Sequence, residues 1–321
     1  TRQQLLDKRL ASFQADMVGP GKAVCDLKLA AKDLLMAARH DGTVDVYRLS
    51  DGSPVAGFQS ESRQRLRLAS VGSRILGFTS KTAPDSWSTD SQWVLERTIG
   101  SIDDPSVISD RVTALDFNPD GKSIAVGSGP PSRSGEVVVF DVRSGQLVRD
   151  FGEVHSDTVL GLAFSPDGRR LASSAADKTI RLLDLSRGEV IRSLEGHTHH
   201  VLSVAWQDDG QTIASASADQ SVKVWNVETG EQRRTISGFS KEITSVAFVE
   251  ATNQVLMACA DGQVRLYDSS NGKSLRSFNA SGDFLYTLSV TPDGTSLVSA
   301  GQSGKVRFWT VKDGKLVHEM E

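Results

Sequence analysis

The fold of this chain is indicated most clearly by residues 196–230, GHTHHVLSVAWQDDGQTIASASADQSVKVWNVETG. It contains three short runs of β-branched, small and aromatic residues, VLSVAW (201–206), TIASASA (212–218) and SVKVWNV (221–227). Runs of this length and composition predict β-strands. The tripeptide ETG (228–230) that follows has the composition of a tight turn. The segment therefore predicts consecutive antiparallel strands joined by short turns.

The same segment recurs along the chain at a nearly constant period. The turn glycine after the third strand occurs with spacings of 43, 42, 42 and 42 residues, at Gly145, Gly188, Gly230, Gly272 and Gly314. A second marker, an Asp-Gly turn after the first strand, ends at Gly121, Gly168, Gly210 and Gly294. Self-similarity at a fixed period is the sequence signature of a repeat architecture.

Two further copies precede these five. Gly52 in RLSDGSP lies 93 residues before the first glycine of the series, which leaves room for one more unit between them. The stretch RILGFTSKTAPDSW (74–87) supplies that unit, because it aligns without gaps to residues 212–225 and places Trp87 on Trp225. The chain therefore contains seven copies.

A fourth strand, such as EVIRSLE (189–195), completes each copy. Four short antiparallel strands in each copy match the blade of a β-propeller, whose ring closure protects the sheet edges. The length of 321 residues would also fit two domains. The repeat favours one all-β domain instead, a seven-bladed propeller of four-stranded antiparallel blades over residues 20–321, preceded by a segment of residues 1–19.

The residues of the copies resemble the WD40-repeat family over nearly the whole chain. The family pattern is Gly-His, three strands, a turn Asp and a closing Trp-Asp, and the best copy has Gly196-His197, Asp219 and Trp225-Asn226. The resemblance implies a hydrogen-bond chain through the members of this copy, namely His197, Asp219, Ser215 or Ser217, and Trp225. A buried indole N–H and a buried imidazole both need such partners.

The other copies diverge from the pattern. The preceding copy keeps His155, Ser173 and Asp177 but has Leu183 in place of the tryptophan. Because Ser173 aligns with Ser215, the resemblance favours Ser215 over Ser217. Elsewhere Phe140, Tyr47 or Tyr267 replaces the tryptophan and Phe239 replaces the histidine, while Trp309 is kept with Ser303 in place of the turn Asp.

The closure of the ring has two candidate strands. Both KRLASFQ (8–14) and GKLVHEM (314–320) look like a fourth strand, and propellers of this family often pair an N-terminal strand into the last blade. We favour residues 8–14 as that closing strand. The alternative is a helix over residues 2–17, because four apolar residues fall at helical spacing, Leu6, Leu10, Phe13 and Met17.

Composition excludes several functions. Forty acidic residues against 36 basic ones give a net charge of −4, which lacks the basic character of a nucleic-acid-binding chain. No run of 18 apolar residues predicts a membrane span. The two cysteines, Cys25 and Cys259, cannot build a disulfide framework. Because the chain opens on TRQQLLDKRL without a methionine, we expect it to be part of a longer polypeptide.

Catalytic and metal sites are not predicted. His199, His200 and Asp157 are candidate metal ligands, but two adjacent residues at the start of a strand are expected to point to opposite faces. No Gly-x-Ser-x-Gly elbow occurs, and the Gly-rich SGPPSRSG (128–135) lacks the Gly-Lys-Ser/Thr ending of a phosphate loop. We therefore predict a protein that is not an enzyme and has no cofactor.

The third copy points to a binding face. It carries two insertions, SIDDPSVISD (101–110) and SGPPSRSG (128–135), in loops that open on the same face of a propeller. In the family this face also holds the residue before each first strand, around the channel mouth. The predicted partner-binding residues are Arg111, Arg133, Thr158, His200, Glu242, Phe284 and Tyr286. The first hypothesis is a monomeric, non-catalytic scaffold that binds a protein or peptide partner there, with neither nucleic acid nor membrane involved.

The second hypothesis is an accessory propeller of a redox or hydrolytic multidomain enzyme. Residues 109–142 and 155–159 resemble bacterial WD40 regions that follow c-type cytochrome domains in exported proteins, although the chain has no Cys-x-x-Cys-His haem motif. This resemblance implies a periplasmic location, and without it a cytoplasmic location is expected. The compartment stays open at this point.

Overall fold

The computed structural model describes residues 23–30, 34–48, 52–59, 67–71, 74–78, 85–88, 108, 110–280 and 282–320. All regular structure in these ranges is β-strand, in twenty-seven strands. The described ranges hold no helix of the length and apolarity that crossing a membrane requires.

The strands of the first three sheets follow one another in sequence. The first sheet comprises Val24–Ala30 (β1), Leu34–Arg39 (β2), Thr43–Arg48 (β3) and Pro54–Gln59 (β4). The second comprises Arg67–Val71 (β5), Arg74–Phe78 (β6) and Asp85–Ser88 (β7). The third comprises Val112–Phe117 (β8), Ser123–Ser128 (β9), Gly135–Asp141 (β10) and Leu147–His155 (β11).

The other four sheets repeat this order with four strands each. The fourth comprises Val159–Phe164 (β12), Arg170–Ala175 (β13), Thr179–Asp184 (β14) and Glu189–Glu195 (β15). The fifth comprises Val201–Trp206 (β16), Thr212–Ser217 (β17), Ser221–Asn226 (β18) and Gln232–Ile236 (β19). The sixth comprises Ile243–Phe248 (β20), Gln254–Cys259 (β21), Gln263–Asp268 (β22) and Ser274–Asn279 (β23). The seventh comprises Leu285–Val290 (β24), Ser296–Gly301 (β25), Val306–Thr310 (β26) and Leu316–Met320 (β27).

The first strands of the seven sheets form a closed ring. Each of β1, β5, β8, β12, β16 and β20 contacts the first strand of the next sheet, and β24 contacts β1. Hydroxyl groups connect some of these neighbours, since Thr113 Oγ1 donates to the carbonyl oxygen of Val159 at 2.5 Å and Thr244 Oγ1 to that of Leu285 at 2.9 Å. The predicted all-β propeller of antiparallel sheets is confirmed.

The apolar core lies between neighbouring sheets. In one cluster, Leu182 of β14 packs with Val204 of β16 and with Trp225 of β18. Another cluster joins Leu35 of β2 to Phe308 of β26, so apolar packing continues across the junction of the first and seventh sheets. These layers hold the loops at each end of the strands in fixed positions.

The second sheet follows the register expected from the gap-free alignment. Ile75 pairs with Trp87 as Ile213 pairs with Trp225. The three described strands of the weakest copy therefore pair in the same register as the first three strands of the fifth sheet.

The fourth place of the seventh sheet belongs to the C-terminal strand. In β26 and β27, Val306 pairs with Met320 and Trp309 with Leu316. The place beside β26, which we expected residues 8–14 to fill, is therefore taken by β27. Residues 8–14 lie outside the described residues, as does the whole segment of residues 1–19.

Arginine side chains fasten the outer strands of the third to sixth sheets to the following sheet, a feature that the sequence pattern did not indicate. Arg192 of β15 lies over Gly230 and donates to the carbonyl oxygens of Glu228 and Thr229 at 2.6 and 3.1 Å. Gly230 has a φ of 76°, and a side chain there would also meet the arginine. The same arrangement, an arginine stem over the turn glycine of the next sheet, recurs at Arg149, Arg234 and Arg276.

Candidate functional site: hydrogen-bond chains and the channel mouth

The fifth sheet brings the four family-pattern residues together. His197 lies in the loop before β16, and its ring atoms Nδ1 and Nε2 are 2.7 Å from Asp219 Oδ2 and 2.8 Å from Ser215 Oγ. Trp225 Nε1 donates to Ser215 Oγ at 2.9 Å. The hydroxyl of Ser217 donates instead to the carbonyl oxygen of His199 at 3.2 Å. Ser215 is therefore the serine of the chain.

The hydrogen bonds of this series all point in one direction, from Trp225 through Ser215 and His197 to Asp219. Burial lowers the pKa of His197, and the hydrogen bond and charge of Asp219 only partly oppose it, so the ring is neutral at pH 7. The indole N–H of Trp225 can only donate, so Ser215 Oγ accepts from it. The Ser215 hydroxyl in turn donates a hydrogen bond to His197 Nε2. His197 Nδ1–H then donates to Asp219. Each polar atom of the chain has a partner inside the sheet.

The fourth sheet contains a shorter version of the chain. His155 Nδ1 lies 2.9 Å from Asp177 Oδ2, and Nε2 lies 2.8 Å from Ser173 Oγ. Leu183 is fully buried in the place of the tryptophan, so the chain ends at Ser173. Burial alone would raise the pKa of Asp177, but the hydrogen bond and charge of His155, with Thr179, outweigh it and lower the pKa to about 2.

The sixth sheet replaces the polar chain by aromatic packing. Phe239 takes the position of His197, and its ring lies 5.8 Å from that of Tyr267. The guanidinium of Arg265 lies 5.4 Å from the centre of the Phe239 ring and 2.6 Å from Asp261 Oδ2.

In the seventh sheet, the carboxylate comes from the loop before β24 and not from the turn between β25 and β26. Ser303 occupies the turn position, and buried Asp283 accepts from Ser303 N at 2.8 Å and from Arg307 Nη1 at 2.9 Å. Trp309 Nε1 donates to Ser299 Oγ at 3.1 Å. The family pattern does not indicate Asp283, and the one signal in the sequence is Ser303 at the turn position, whose hydroxyl needs an acceptor from elsewhere.

The predicted partner-binding residues gather at one end of the sheets. Each of Arg111, Thr158, His200, Glu242 and Phe284 immediately precedes a first strand. Val112 pairs with Ser128 and Gly135 with His155, so the loop between β9 and β10, with Arg133, opens at this same end. We call this end the mouth face.

The members of the mouth face differ in exposure. Arg111, Arg133 and His200 are exposed, whereas Glu242, Phe284 and Tyr286 are half-buried. Thr158 is only 5% exposed, and its hydroxyl donates to the carbonyl oxygen of Gly129 at 3.1 Å. Thr158 therefore belongs to the internal bonding of the loops, because its only polar side-chain atom faces inward.

The inserted hairpin of the third sheet is held by the fourth sheet. Asp157 Oδ1 accepts from Ser132 N at 2.7 Å, beside the bond from Thr158 to Gly129. Ser132 has a φ of 59°, in the left-handed region. Of the other insertion, residues 101–107 and 109 lie outside the described residues.

The mouth face opens into a central channel of about 610 Å³. Glu242, Phe284 and Tyr286 line it near this face, and Lys28 lines it further along β1. The rings of Phe284 and Tyr286 are 5.1 Å apart, and that of Tyr286 is 5.7 Å from His40. An aromatic group therefore stands at the mouth where the seventh sheet meets the first.

The histidine pair of the fifth sheet differs from the expectation. The rings of His199 and His200 lie 4.4 Å apart and both are exposed. The expectation that they point to opposite faces is wrong, because both residues precede β16 and the alternation of a strand does not apply to them. In the described part of the chain, no group of three or more His, Cys, Asp or Glu side chains could hold a metal ion.

Two further titratable side chains, Cys259 and Asp116, have their pKa values raised by burial. Cys259 is fully buried, and burial raises the pKa of its thiol to about 11, so it is protonated at pH 7. Burial also raises the pKa of Asp116, opposed by the charge of Lys28. The Asp116 carboxylate accepts the N–H of Phe164 at 2.8 Å, which ties β8 to β12. The side chain of Cys25 lies outside the described residues.

The fold and the hydrogen-bond chains define a propeller built from one repeated unit. Five stretches match the family model described as WD domain, G-beta repeat, over residues 96–141, 145–184, 188–226, 230–268 and 272–310. These stretches span more than half of the chain, and the protein belongs to the WD40-repeat family. The last four matches each run from the outer strand of one sheet through three strands of the next, and the first match includes β8, β9 and β10 of the third sheet. No curated protein significantly matches the chain.

Proposed function

We propose that this WD40 protein is a non-catalytic scaffold that binds a protein or peptide partner at the mouth face. WD40 repeats generally form protein-interaction scaffolds. The binding residues would be Arg111, Arg133, His200, Glu242, Phe284 and Tyr286. Thr158 is left out because its side chain is used internally.

The observation that carries the proposal is the contrast between the interior and the mouth face. The histidine, serine and aspartate of the hydrogen-bond chains in the fourth and fifth sheets bond to one another, as in the chain from Trp225 to Asp219. At the mouth, Phe284 and Tyr286 stay half-buried beside an open channel. Partly exposed aromatic rings and arginines on a rigid scaffold are favoured at the centres of protein interfaces.

The test is a selection of peptides from a displayed random library on the purified protein, followed by affinity measurements on variants. We expect Arg111→Ala and Phe284→Ala each to weaken the selected peptides by tenfold or more. Arg143→Ala is the matched control, because Arg143 is an exposed arginine in the turn at the opposite end of the same sheet as Arg111.

The outcomes separate the two ends of the propeller. Peptides that lose affinity with Arg111→Ala and Phe284→Ala but not with Arg143→Ala support the mouth face. Peptides that respond only to Arg143→Ala, or a library that yields no binder to the folded protein, contradict the proposal. Thermal denaturation of each variant checks that it is folded.

A further inference from the structure

We propose that the mouth face contains a subsite for a basic side chain, arginine or lysine, of the partner polypeptide. This inference rests on the proposed function and specifies the chemistry of the group that the face recognises. The subsite consists of Phe284, Tyr286 and Glu242.

The aromatic part of the subsite is a pair of tilted rings. Phe284 and Tyr286 lie 5.1 Å apart at an interplanar angle of 45°. Both are half-buried and both line the channel, so ring surface faces the open space. Faces of aromatic rings attract ammonium and guanidinium groups, and this attraction grows as the site is desolvated.

The acidic part of the subsite is Glu242. It precedes β20 as Phe284 precedes β24, and these two strands are neighbours in the ring. Its side chain lines the same channel and, among the described residues, makes no hydrogen bond or ion pair. The neighbouring carboxylate of Asp283, in contrast, is taken by Ser303 and Arg307. Glu242 therefore offers a charge that a cation at the mouth can neutralise.

Two positive charges lie near the subsite: the exposed Lys241, which precedes Glu242 in the chain, and Arg307, which is taken by Asp283 and Glu319. The others lie further away. Lys28 lies in the same channel but four residues along β1 from Val24, which is about 13 Å deeper at the rise of a strand. Arg111 and Arg133 are on the third sheet, across the ring from the seventh. A peptide would therefore place its basic residue over the sixth and seventh sheets and its acidic or neutral residues over the third.

The chain offers a direct spectroscopic test, because it has three tyrosines. Tyr47 is 2% exposed, Tyr267 packs on Phe239, and Tyr286 lines the channel. Protein labelled with 3-fluorotyrosine gives one fluorine resonance for each tyrosine, and Tyr286→Phe assigns the third. The probes are three capped tripeptides, Gly-Arg-Gly, Gly-Lys-Gly and Gly-Gln-Gly.

We expect Gly-Arg-Gly or Gly-Lys-Gly to shift the Tyr286 resonance saturably, with a dissociation constant in the millimolar range, and Gly-Gln-Gly to leave it unchanged. Glu242→Gln and Phe284→Leu should each weaken the basic peptide by about five- to tenfold. Glu231→Gln is the control, since Glu231 is an exposed carboxylate in the turn at the other end of the fifth sheet, and it should change nothing.

A Tyr286 resonance that does not move with either basic peptide up to about 20 mM, or that moves equally with all three, overturns the subsite. If library peptides still depend on Arg111 and Phe284 in that case, the proposed function stands and only the basic specificity is lost. If the basic tripeptides bind as expected but the library peptides bind elsewhere, the subsite stands and the proposed function fails.

Discussion

Two serines of the fifth sheet, Ser215 and Ser217, are not interchangeable, because their hydroxyls make different hydrogen bonds. Ser215 and Ser217 are both fully buried on β17, two residues apart. Ser215 accepts from Trp225 and lies against His197, whereas Ser217 donates to a backbone carbonyl. The alignment of Ser173 with Ser215 favours Ser215, and the different directions in which the two side chains point explain why Ser217 does not take its place.

Ser215→Ala should destabilise the protein more than Ser217→Ala. The first change leaves Trp225 Nε1–H and His197 Nε2 without their partner, which costs about 2–4 kcal/mol for two buried polar atoms. Ser217→Ala should cost only about 1 kcal/mol. It removes two hydrogen bonds, but the groups that it releases, the His199 carbonyl and the Asp219 N–H, belong to residues that water partly or fully reaches. Chemical denaturation of the two variants measures the difference in the free energy of unfolding. Equal losses would contradict the role of Ser215 as the centre of the chain.

The stability of the fold should decrease in acid through Asp177. Its folded pKa of about 2 lies below the ordinary value of 3.8, so the carboxylate stabilises the fold above pH 4. This contribution is lost as the pH falls from about 4 to about 2, where the folded protein also takes up the proton. Asp177→Asn should flatten that part of the curve of unfolding free energy against pH.

Asp208→Asn is the control for the acid measurement, because Asp208 is exposed in the turn after β16. It should leave the slope between pH 4 and pH 2 unchanged. If Asp177→Asn has the same slope as the unmodified protein, the hydrogen bond between Asp177 and His155 does not contribute in the way described.

At the scale of the element, the hairpin between β9 and β10 depends on its neighbour. Its residue Ser132 adopts a positive φ, and the bond from Ser132 N to Asp157 crosses to the loop before β12. The sequence identified the insertion, but the residue that orders it lies 25 positions away in the chain.

Asp157→Ala should loosen this hairpin without unfolding the sheets. We expect hydrogen exchange at Ser132 N to accelerate about tenfold, because the amide loses its acceptor. Asp150→Ala is the matched control, since Asp150 accepts from Gly152 N within β11 and makes no contact with the hairpin amide. Unchanged exchange at Ser132 in the Asp157 variant would show that this bond does not order the loop.

At the scale of the whole molecule, closure of the ring uses a buried ion pair. Arg39 is 2% exposed, its Nε lies 2.5 Å from Asp45 Oδ2, and its Nη1 donates to the carbonyl oxygen of Gly304 at 3.1 Å. This contact joins β2 of the first sheet to the loop before β26 of the seventh. It supplements the apolar packing across the same junction.

Arg39→Met should cost about 3–5 kcal/mol, because it leaves the Asp45 carboxylate buried without its arginine. Arg192→Met, at an outer edge between the fourth and fifth sheets, should cost only about 1 kcal/mol, since water can reach the two carbonyl groups that it leaves. Denaturation of both variants gives the comparison. A larger loss for Arg192→Met would mean that the outer fastening, and not the closure, limits stability.

The local and periodic features of this protein follow from the amino-acid sequence. The period gave seven sheets, since each copy carries the strand composition and turn glycines of one sheet, and the residues His197, Ser215, Asp219 and Trp225 lie within a single copy. Contacts inside one copy follow from spacing, because the strands of a meander pair with their sequence neighbours.

The contacts between copies are visible in the tertiary structure alone. Three kinds of contact join residues of different sheets: the bond from Thr158 to Gly129, the pairing of Arg39 with Gly304, and the arginines over four of the turn glycines. The group of His40, Phe284 and Tyr286 is brought together by closure of the ring, which places the first and last sheets side by side. No local pattern encodes these contacts, because each depends on the packing of neighbouring sheets.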